Sequence, residues 1–275
     1  MTTPSHSASD IFPPGQGSAA RYTLELMIWL KHWTPHLISF RLSRNPAYRF
    51  VSGQFARIGL AKSAEEPVWR PYSIVSSPAD PYLEFFSVIV PGGEFSSRLV
   101  CLKQGDEVLL ENRAQGFLTI DRFDNAPAGK DIWLIAPGTG LAPFISMVRD
   151  PQIWQRFDHV VIVQTVRDRQ DLAYAEALSA LVRDVATNRP GKSLRHIKTL
   201  TRETMAGTLH GRVTTLIESG ELERTANLAM SDQDSRFMLC GNPQMVEDVR
   251  NLLKTRGFRM NRKMQPGHIV VENYW

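Results

Sequence analysis

The apolar positions of the chain follow two different periods, one on each side of residues 124–130. Residues 21–125 contain short segments in which apolar and polar residues alternate or β-branched residues cluster, which predicts strands. The Gly, Pro, Asn and Asp residues between these segments predict turns. The predicted strands are 22–30, 37–42, 54–60, 72–75, 83–90 and 107–111. Their spacing indicates an antiparallel barrel or sandwich, interrupted by a helix over 94–102.

From about residue 130 onward, apolar strands alternate with amphipathic helices. The predicted strands are 131–136, 159–165, 194–200 and 236–240, and the predicted helices are 142–149, 172–186, 213–219 and 243–256. This alternation predicts a parallel sheet with crossover helices. Asn, Pro and Gly cluster at 124–130 and mark a domain boundary. The pattern therefore predicts two domains, one all-β and one α/β.

The two ends of the chain differ in character. Residues 1–20 are rich in Ser, Pro and Gly and contain no apolar core of a signal peptide, so we expect a flexible tail. The other end, Val270-Val271-Glu272-Asn273-Tyr274-Trp275, carries two adjacent aromatic residues where chains usually carry mobile polar ones. These rings either cap a hydrophobic core or stack on a flat ligand.

Composition narrows the function classes. The 275 residues are 43% hydrophobic and 22% charged, which is typical of a globular protein, and no apolar run approaches the roughly 18 residues that span a bilayer. Two distant cysteines argue against a disulfide framework and against a cysteine-ligated iron–sulfur cluster. The histidines show no metal-ligand spacing. The formal net charge of +4 suits an acidic protein partner.

The segment Arg70-Pro71-Tyr72-Ser73 combines three kinds of side chain that a flavin nucleotide needs. A residue before proline is restricted to extended geometry, so Arg70 lies on a strand-like segment. Alternation then places Arg70 and Tyr72 on one face and Ser73 on the other. The segment offers a guanidinium for phosphate, a flat ring for stacking and a hydroxyl. Taken alone, the same residues also fit an edge strand with a solvated arginine.

Two glycine turns each connect an apolar strand to a helix. Gly138-Thr139-Gly140 follows one predicted strand, and Gly241-Asn242 follows Cys240 at the end of another. Glycine lets the main chain approach a ligand closely, and a helix N-terminus presents N–H groups to phosphate. Because strand carboxyl ends line one crevice in an open α/β sheet, we expect both turns to face the same cleft. The alternatives are ordinary turns and, for Cys240, a small buried hydrophobic side chain.

Three arginines lie at or near the carboxyl ends of predicted strands. Arg167 and Arg202 each follow a strand, Thr201 lies beside Arg202, and Arg212 precedes a predicted helix. Guanidinium groups bind phosphate through two parallel hydrogen bonds. Each arginine alone fits a solvated surface position, but three at one sheet edge favour an anionic group such as a 2′-phosphate.

A further glycine pair precedes the short helix predicted in the first domain. Gly92 and Gly93 are followed by Phe95, Ser96 and Ser97. Main-chain N–H groups at such a helix start can hold a pyrophosphate. The alternative is a plain loop between a strand and a helix.

These features, in this order, resemble the bacterial ferredoxin/flavodoxin–NADP⁺ reductases of the proteobacterial branch, from about residue 21 to Trp275. Arg70-Pro71-Tyr72-Ser73 is similar to their R-x-Y-S flavin motif, and Gly93 begins a segment similar to their FAD pyrophosphate loop. Gly138-Thr139-Gly140 is similar to their NADP turn, and Cys240-Gly241-Asn242-Pro243 to their C-G-N-P motif. The resemblance implies a FAD-binding antiparallel β-barrel over 21–125, an NADP-binding α/β parallel-sheet domain over 130–268, and a C-terminal tail over 269–275 that returns to the flavin.

The resemblance also implies a role for each candidate residue. The residues expected to bind FAD are Arg70, Pro71, Tyr72, Ser73, Phe86, Val88, Gly93, Phe95, Ser96, Ser97, Tyr274 and Trp275. The residues expected to bind NADP(H) are Gly138, Thr139, Gly140, Arg167, Thr201, Arg202, Arg212, Gly241 and Asn242. Ser73, Tyr72, Cys240 and Glu272 are expected at the reaction centre, and no metal site is expected.

The implied activity is electron transfer between NADPH and ferredoxin or flavodoxin by an FAD-dependent enzyme. NADPH would pass a hydride to flavin N5, and the reduced FAD would then give its two electrons one at a time to the carrier. Two alternatives stay open: a separate reductase component that feeds an oxygenase or another acceptor, and a non-catalytic subunit that binds a nucleotide on the same scaffold. We expect a cytoplasmic monomer that binds neither nucleic acid nor a membrane.

Overall fold

A computed structural model describes residues 21–61, 66–126 and 129–273 of the protein. The predicted tail over 1–20 and the aromatic pair Tyr274 and Trp275 lie outside the described residues. The described chain forms one antiparallel and one parallel sheet, each of six strands. The predicted division into a β-barrel and an α/β domain is confirmed, whereas the exact domain limits stay predictions.

The first sheet curls into a nearly closed barrel. Its strands are β1 (Tyr22–Thr34), β2 (Leu37–Ser43), β3 (Phe55–Leu60), β4 (Val68–Ser73), β5 (Tyr82–Val88) and β6 (Glu107–Glu111). They pair in the order β4-β3-β6-β1-β2-β5, and every pair is antiparallel. A single bridge between Ile74 and Phe85 connects the chain after β4 to β5 and so joins the two edges.

Strand β4 begins four residues earlier than the alternation pattern predicts. It runs over Val68–Ser73 rather than 72–75, because β3 pairs Ile58 with Arg70 and Phe55 with Ser73. β4 stands at one end of the sheet order, and such an edge position tolerates Pro71, which has no N–H to donate. The register leaves Arg70 exposed and buries Ser73.

The barrel interior is an apolar core to which a short helix contributes. Phe40, Ile58 and Phe85 are fully buried in it. Helix α1 (Glu94–Leu99) packs against β3 and β4 and adds Phe95 and Leu99 to this core. The helix ends three residues before the predicted limit of 102.

The second sheet is parallel and carries helices on both faces. Its strands are β7 (Asp131–Pro137), β8 (His159–Val166), β9 (Ser193–Leu200), β10 (Leu209–His210), β11 (Ser235–Gly241) and β12 (Ile269–Asn273). The helices are α2 (Ala142–Val148), α3 (Pro151–Arg156), α4 (Ala175–Asn188), α5 (Val213–Glu218), α6 (Glu221–Ala226) and α7 (Pro243–Thr255). The strand order is β10-β9-β8-β7-β11-β12.

Alternate residues of β7 fill two separate cores, one on each face of this sheet. Ile132 and Leu134 belong to one core, and Trp133 and Ile135 to the other. All four are fully buried, which explains why the strand reads as a continuous apolar run rather than an alternating one.

Several elements of the α/β domain differ from the sequence prediction, and the two-residue strand β10 was not predicted. Helix α4 starts at Ala175 rather than 172, because Tyr174 adopts a left-handed backbone with φ 61° and interrupts the helical run. The six-residue helices α3 and α6 were not predicted. Ile269–Asn273, interpreted as part of a C-terminal tail, form β12, because parallel pairing with β11 buries Ile269 and Val270.

The two domains pack directly against each other. Leu37, Val75 and Phe86 of the barrel share one apolar cluster with residues of the α/β domain. The buried Ser146 Oγ donates to the main-chain oxygen of Ser76 at 2.7 Å. The domains therefore meet through both apolar and polar contacts.

Candidate functional site

A cavity of about 410 Å³ lies beside the barrel. The predicted residues that line it are Arg70, Pro71, Tyr72, Ser73, Phe86, Val88, Gly93, Phe95 and Ser96, together with Thr139 of the α/β domain. Ser97 does not line it, because its exposed hydroxyl donates to the main-chain oxygen of Gly93 at 2.9 Å. Ser87, Val90 and Glu94 also line it and were not predicted.

Tyr72 provides a flat, half-buried surface in this cavity. Its ring centre lies 5.3 Å from that of Phe95 and 6.0 Å from that of Phe40, which stands edge-on at 82°. Burial raises the pKa of Tyr72, although an interaction with the Ser87 side chain and the charge of Arg70 oppose the shift. The neutral phenol therefore suits stacking on a flat ring system.

Ser73 contributes a buried hydroxyl that has no hydrogen-bond partner within the described residues. The residue is 3% exposed, and its Oγ is unpaired. Buried hydroxyls nearly always form hydrogen bonds, so this atom suits a polar atom of a ligand. Arg70 is exposed at the same wall and donates from Nη1 to the main-chain oxygen of Trp69 at 2.8 Å. The wall thus presents a ring, a hydroxyl and a cation, which fit a flavin nucleotide.

A second cavity, of about 380 Å³, lies at the carboxyl ends of β7, β8, β9 and β11. The predicted residues that line it are Gly138, Thr139, Arg167, Thr201, Gly241 and Asn242. The chain order of the sheet reverses between β7 and β11, and ligands of open α/β sheets bind at such a point. The lining residues that were not predicted are His36, Leu37, Pro137, Thr165, Val166 and Asp171.

The two cavities share part of their lining. Val88 on β5 and Thr139 in the turn after β7 border both of them. A barrel strand and a turn of the α/β domain therefore meet at this point. Two flat ligands, one in each cavity, would approach each other here.

The two predicted glycine turns contact each other. A Cβ on Gly140 would lie 2.0 Å from the main-chain oxygen of Cys240. Gly241 has φ +140°, and a Cβ there would lie 2.5 Å from Cγ of Pro137. Cys240 itself is fully buried in the apolar core and lines neither cavity, which matches its alternative interpretation as a small hydrophobic side chain.

The arginine-bearing segments lie together at the carboxyl edge of the sheet. The amide N–H of Arg202 donates to the main-chain oxygen of Arg167 at 3.1 Å. The amide of Gly211 donates to the main-chain oxygen of Leu200 at 2.9 Å, which brings Arg212 to the end of β9. All three arginines are exposed, but only Arg167 lines the second cavity. They form a basic rim that suits an anionic group.

Glu272 lines neither cavity, and its half-buried side chain, with a buried Oε2, lies beside the end of β11. It pairs with Cys240 in the β11–β12 register. Its Oε2 has no partner within the described residues, and a Cβ on Gly116 would lie 3.1 Å from its Oε1. Burial raises the pKa of Glu272 to about 7, although the backbone N–H of Phe117 opposes the shift. The group can therefore hold or release a proton near neutral pH.

The raised pKa of Glu272 predicts a specific pH dependence of stability. Between pH 4.5 and about 7 the folded state binds a proton that the unfolded state has lost, so the free energy of unfolding falls as pH rises. The whole shift corresponds to about 3 kcal/mol. Glu272→Gln should remove this slope and be more stable than the parent protein above pH 7.

Denaturant unfolding at several pH values between 4 and 8 measures the effect. Glu218→Gln, which replaces an exposed carboxylate, is the matched control and should keep the parent slope. An unchanged slope in Glu272→Gln would show that this carboxyl does not titrate as inferred.

Within the described residues, no helix is both long and apolar enough to cross a bilayer. The same part of the chain contains no group of His, Cys, Asp or Glu side chains that could hold a metal ion.

Comparison with known proteins identifies relatives of this chain. Residues 134–251 match the family described as oxidoreductase NAD-binding domain. The chain is 41% identical over 260 residues to ferredoxin–NADP reductase A of Sorangium cellulosum, covering 91% of this chain and 89% of the relative. It is 41% identical over 247 residues to the flavodoxin/ferredoxin–NADP reductase of Escherichia coli, covering 90% and 96%. A crystal structure of a ferredoxin NADP⁺ reductase from Neisseria gonorrhoeae with bound FAD and NADP matches with a TM-score of 0.86 and 37% identity, covering 93% of this chain and 99% of that one.

Proposed function

The chain belongs to the ferredoxin/flavodoxin–NADP reductase family, and on that premise we propose that it transfers electrons between NADPH and a small carrier, ferredoxin or flavodoxin, with FAD as its cofactor. The observation that carries the proposal is the common border of the two cavities at Val88 and Thr139. Catalysis of a direct transfer between two bound groups depends mainly on holding them at reaction distance.

The barrel cavity suits FAD. Arg70 would bind its phosphates, and the helix start from Gly93 to Ser96 would present main-chain N–H groups to them. Tyr72 would stack on the isoalloxazine, and the unpaired Ser73 hydroxyl would bond to its polar edge. Tyr274 and Trp275 lie outside the described residues, and their stacking on the flavin and the adenine stays a prediction.

The second cavity suits NADP(H). The turn from Gly138 to Gly140 would hold the pyrophosphate, because it admits a ligand close to the main chain. The rim of Arg167, Arg202 and Arg212 would bind the 2′-phosphate and favour NADPH over NADH. Cys240 lines neither cavity, and it would support this turn through the close approach of its main-chain oxygen to Gly140.

FAD in the first cavity would supply the chemistry that links a two-electron donor to a one-electron carrier. The side chains of this protein would position both cofactors and exclude water. Glu272 would hold a proton near the reaction centre, because its pKa of about 7 lets both forms exist at neutral pH.

The proposed partner is an acidic electron carrier, because this protein has a formal net charge of +4. Opposite charges steer such encounters and raise the association rate. We also propose that the protein is a cytoplasmic monomer that binds neither nucleic acid nor a membrane.

NADPH-driven reduction of ferredoxin and of flavodoxin, at low and at high ionic strength, tests this function. We expect at least one carrier to be reduced, with a rate that falls as salt screens the attraction. If neither is reduced while a small artificial one-electron acceptor is, the protein instead serves another acceptor, such as an oxygenase.

A further inference from the structure

Tyr174 is a residue of the α/β domain whose side chain is anchored in the barrel. It lies between the short helical turn at Arg169–Asp171 and helix α4, and it is 7% exposed. Its hydroxyl donates to Oε1 of Glu84 at 2.7 Å and lies 2.5 Å from Oγ of Ser39. Glu84 is on β5 and Ser39 on β2, so this contact crosses the boundary between the domains.

The polar atoms around Tyr174 form one continuous chain of hydrogen bonds. Trp33 Nε1 donates to Ser39 Oγ at 2.8 Å, and Arg41 Nε donates to the other Glu84 oxygen at 2.8 Å. Because Tyr174 uses its single proton on Glu84, the Ser39 hydroxyl donates to the Tyr174 oxygen. Successive bonds of this kind strengthen one another in a buried setting. Each partner of Tyr174 is therefore itself held in place.

The left-handed backbone of Tyr174 indicates that tertiary contacts hold its side chain in a defined position. Its φ of 61° lies in the left-handed region, which a bulky residue rarely adopts and glycine or asparagine would adopt more easily. The preceding residue is also fixed, because Gln164 Nε2 donates to the main-chain oxygen of Ala173 at 3.1 Å. The tertiary contacts of the tyrosine outweigh this local strain.

Tyr174 connects the walls of the two cavities. On the nucleotide side, Arg167 and Asp171 line the second cavity a few residues before it. On the flavin side, its ring centre lies 5.3 Å from that of Phe86, edge-on at 80°, and Phe86 lines the first cavity. A second link, between His36 Nε2 and Asp171 Oδ1 at 2.9 Å, joins the barrel hairpin to the same segment.

We propose that Tyr174 is a positioning residue for hydride transfer, which sets the placement of segment 167–174 against the flavin wall through the hydroxyl that it shares with Glu84 and Ser39. The inference rests on the proposed function, because it assigns the two cavities to NADP(H) and FAD. Tyr174 touches neither cavity and acts only through the residues that line them.

Tyr174→Phe removes the hydroxyl and keeps the ring. We expect FAD content to be unchanged and the dissociation constant for NADP⁺, measured by calorimetry, to change less than about threefold. The rate of flavin reduction at saturating NADPH should fall by about 10- to 100-fold, because small misplacements of reacting groups cost this much. The visible circular dichroism of the bound flavin should also change, because the ring beside Phe86 is no longer held by hydrogen bonds to Glu84 and Ser39. A role confined to stability would lower the unfolding midpoint and leave the saturating rate and the dichroism unchanged.

Tyr48→Phe is the matched control, since Tyr48 is buried in the barrel core and its hydroxyl has no partner within the described residues. It should keep the parent rate and dichroism. A parent rate and parent dichroism in Tyr174→Phe would overturn the proposal.

If Tyr174→Phe does not fold, Ser39→Ala and Glu84→Gln decide the question, because both keep the tyrosine. A lower saturating rate with unchanged NADP⁺ affinity in both supports the proposal, and a parent rate in both overturns it. If the parent protein itself is not reduced by NADPH, the proposed function fails instead. The flavin dichroism of these variants then still reports whether Tyr174 holds the two walls.

Discussion

Gly140→Ala is expected to disrupt the nucleotide cavity and to destabilise the α/β domain by about 3 kcal/mol or more, at the upper end of the range for overpacked sites. The added Cβ would lie 2.0 Å from the main-chain oxygen of Cys240 and 2.7 Å from its carbonyl carbon. These atoms belong to β11, whose pairing with β7 and β12 prevents a local shift. Either the strand end or the turn after β7 must move, and both line the cavity. Thermal unfolding and NADP⁺ binding by calorimetry measure the two effects.

Gly138→Ala is the matched control, two residues earlier in the same turn. A Cβ there meets no atom within 4 Å, so only the left-handed φ of 51° resists the change. That conformation costs an alanine about 1–2 kcal/mol. A similar loss of stability in both variants would show that the contact between the glycine turns is not the cause.

Replacing the three rim arginines together is expected to abolish most of the preference for NADPH over NADH. Charge-assisted hydrogen bonds contribute about 1.5–3 kcal/mol each, and exposure reduces this because solvent screens the charges. For the triple variant Arg167→Ala, Arg202→Ala and Arg212→Ala, a combined loss of about 3–4 kcal/mol predicts a fall of about 100- to 1,000-fold in kcat/KM for NADPH. The value for NADH should stay within about threefold, because NADH has no 2′-phosphate.

The specificity ratio from steady-state kinetics with both nucleotides measures this effect. Arg183→Ala, which removes an exposed arginine from helix α4, controls for the loss of a surface positive charge away from the rim. An equal loss with NADPH and NADH would mean that the rim supports the fold or the pyrophosphate and does not recognise the 2′-phosphate.

The fold could be predicted from the sequence because each domain has its own period of apolar residues. Alternation marked the barrel strands, and apolar runs followed by helices marked the parallel sheet. The missed strand Ile269–Asn273 is short, and its partner β11 lies about thirty residues earlier in the chain, so no local pattern showed that the two would pair. The late start of α4 was missed because the docking of Tyr174 onto the barrel determines it, and helical propensity does not.

The site could be predicted where one segment carries several of its residues. Arg70, Tyr72 and Ser73 line one cavity because they share a strand. His36 and Leu37 were missed because the β1–β2 hairpin of the barrel brings them to the nucleotide cavity. Sequence spacing cannot predict such a contact between domains. Ser97 and Cys240 are the opposite case. They lie in the predicted segments but line neither cavity. The Ser97 hydroxyl bonds to the main-chain oxygen of Gly93, and the Cys240 thiol is buried.

The central claim is that electrons of NADPH enter a flavin bound beside Tyr72 and Ser73. Anaerobic mixing of the purified protein with one equivalent of NADPH, followed by its visible absorption, tests the claim most directly. We expect a yellow protein whose flavin band bleaches in a single turnover, faster with NADPH than with NADH. A protein that binds no flavin when FAD is supplied, or whose flavin band NADPH leaves unchanged, would contradict the account.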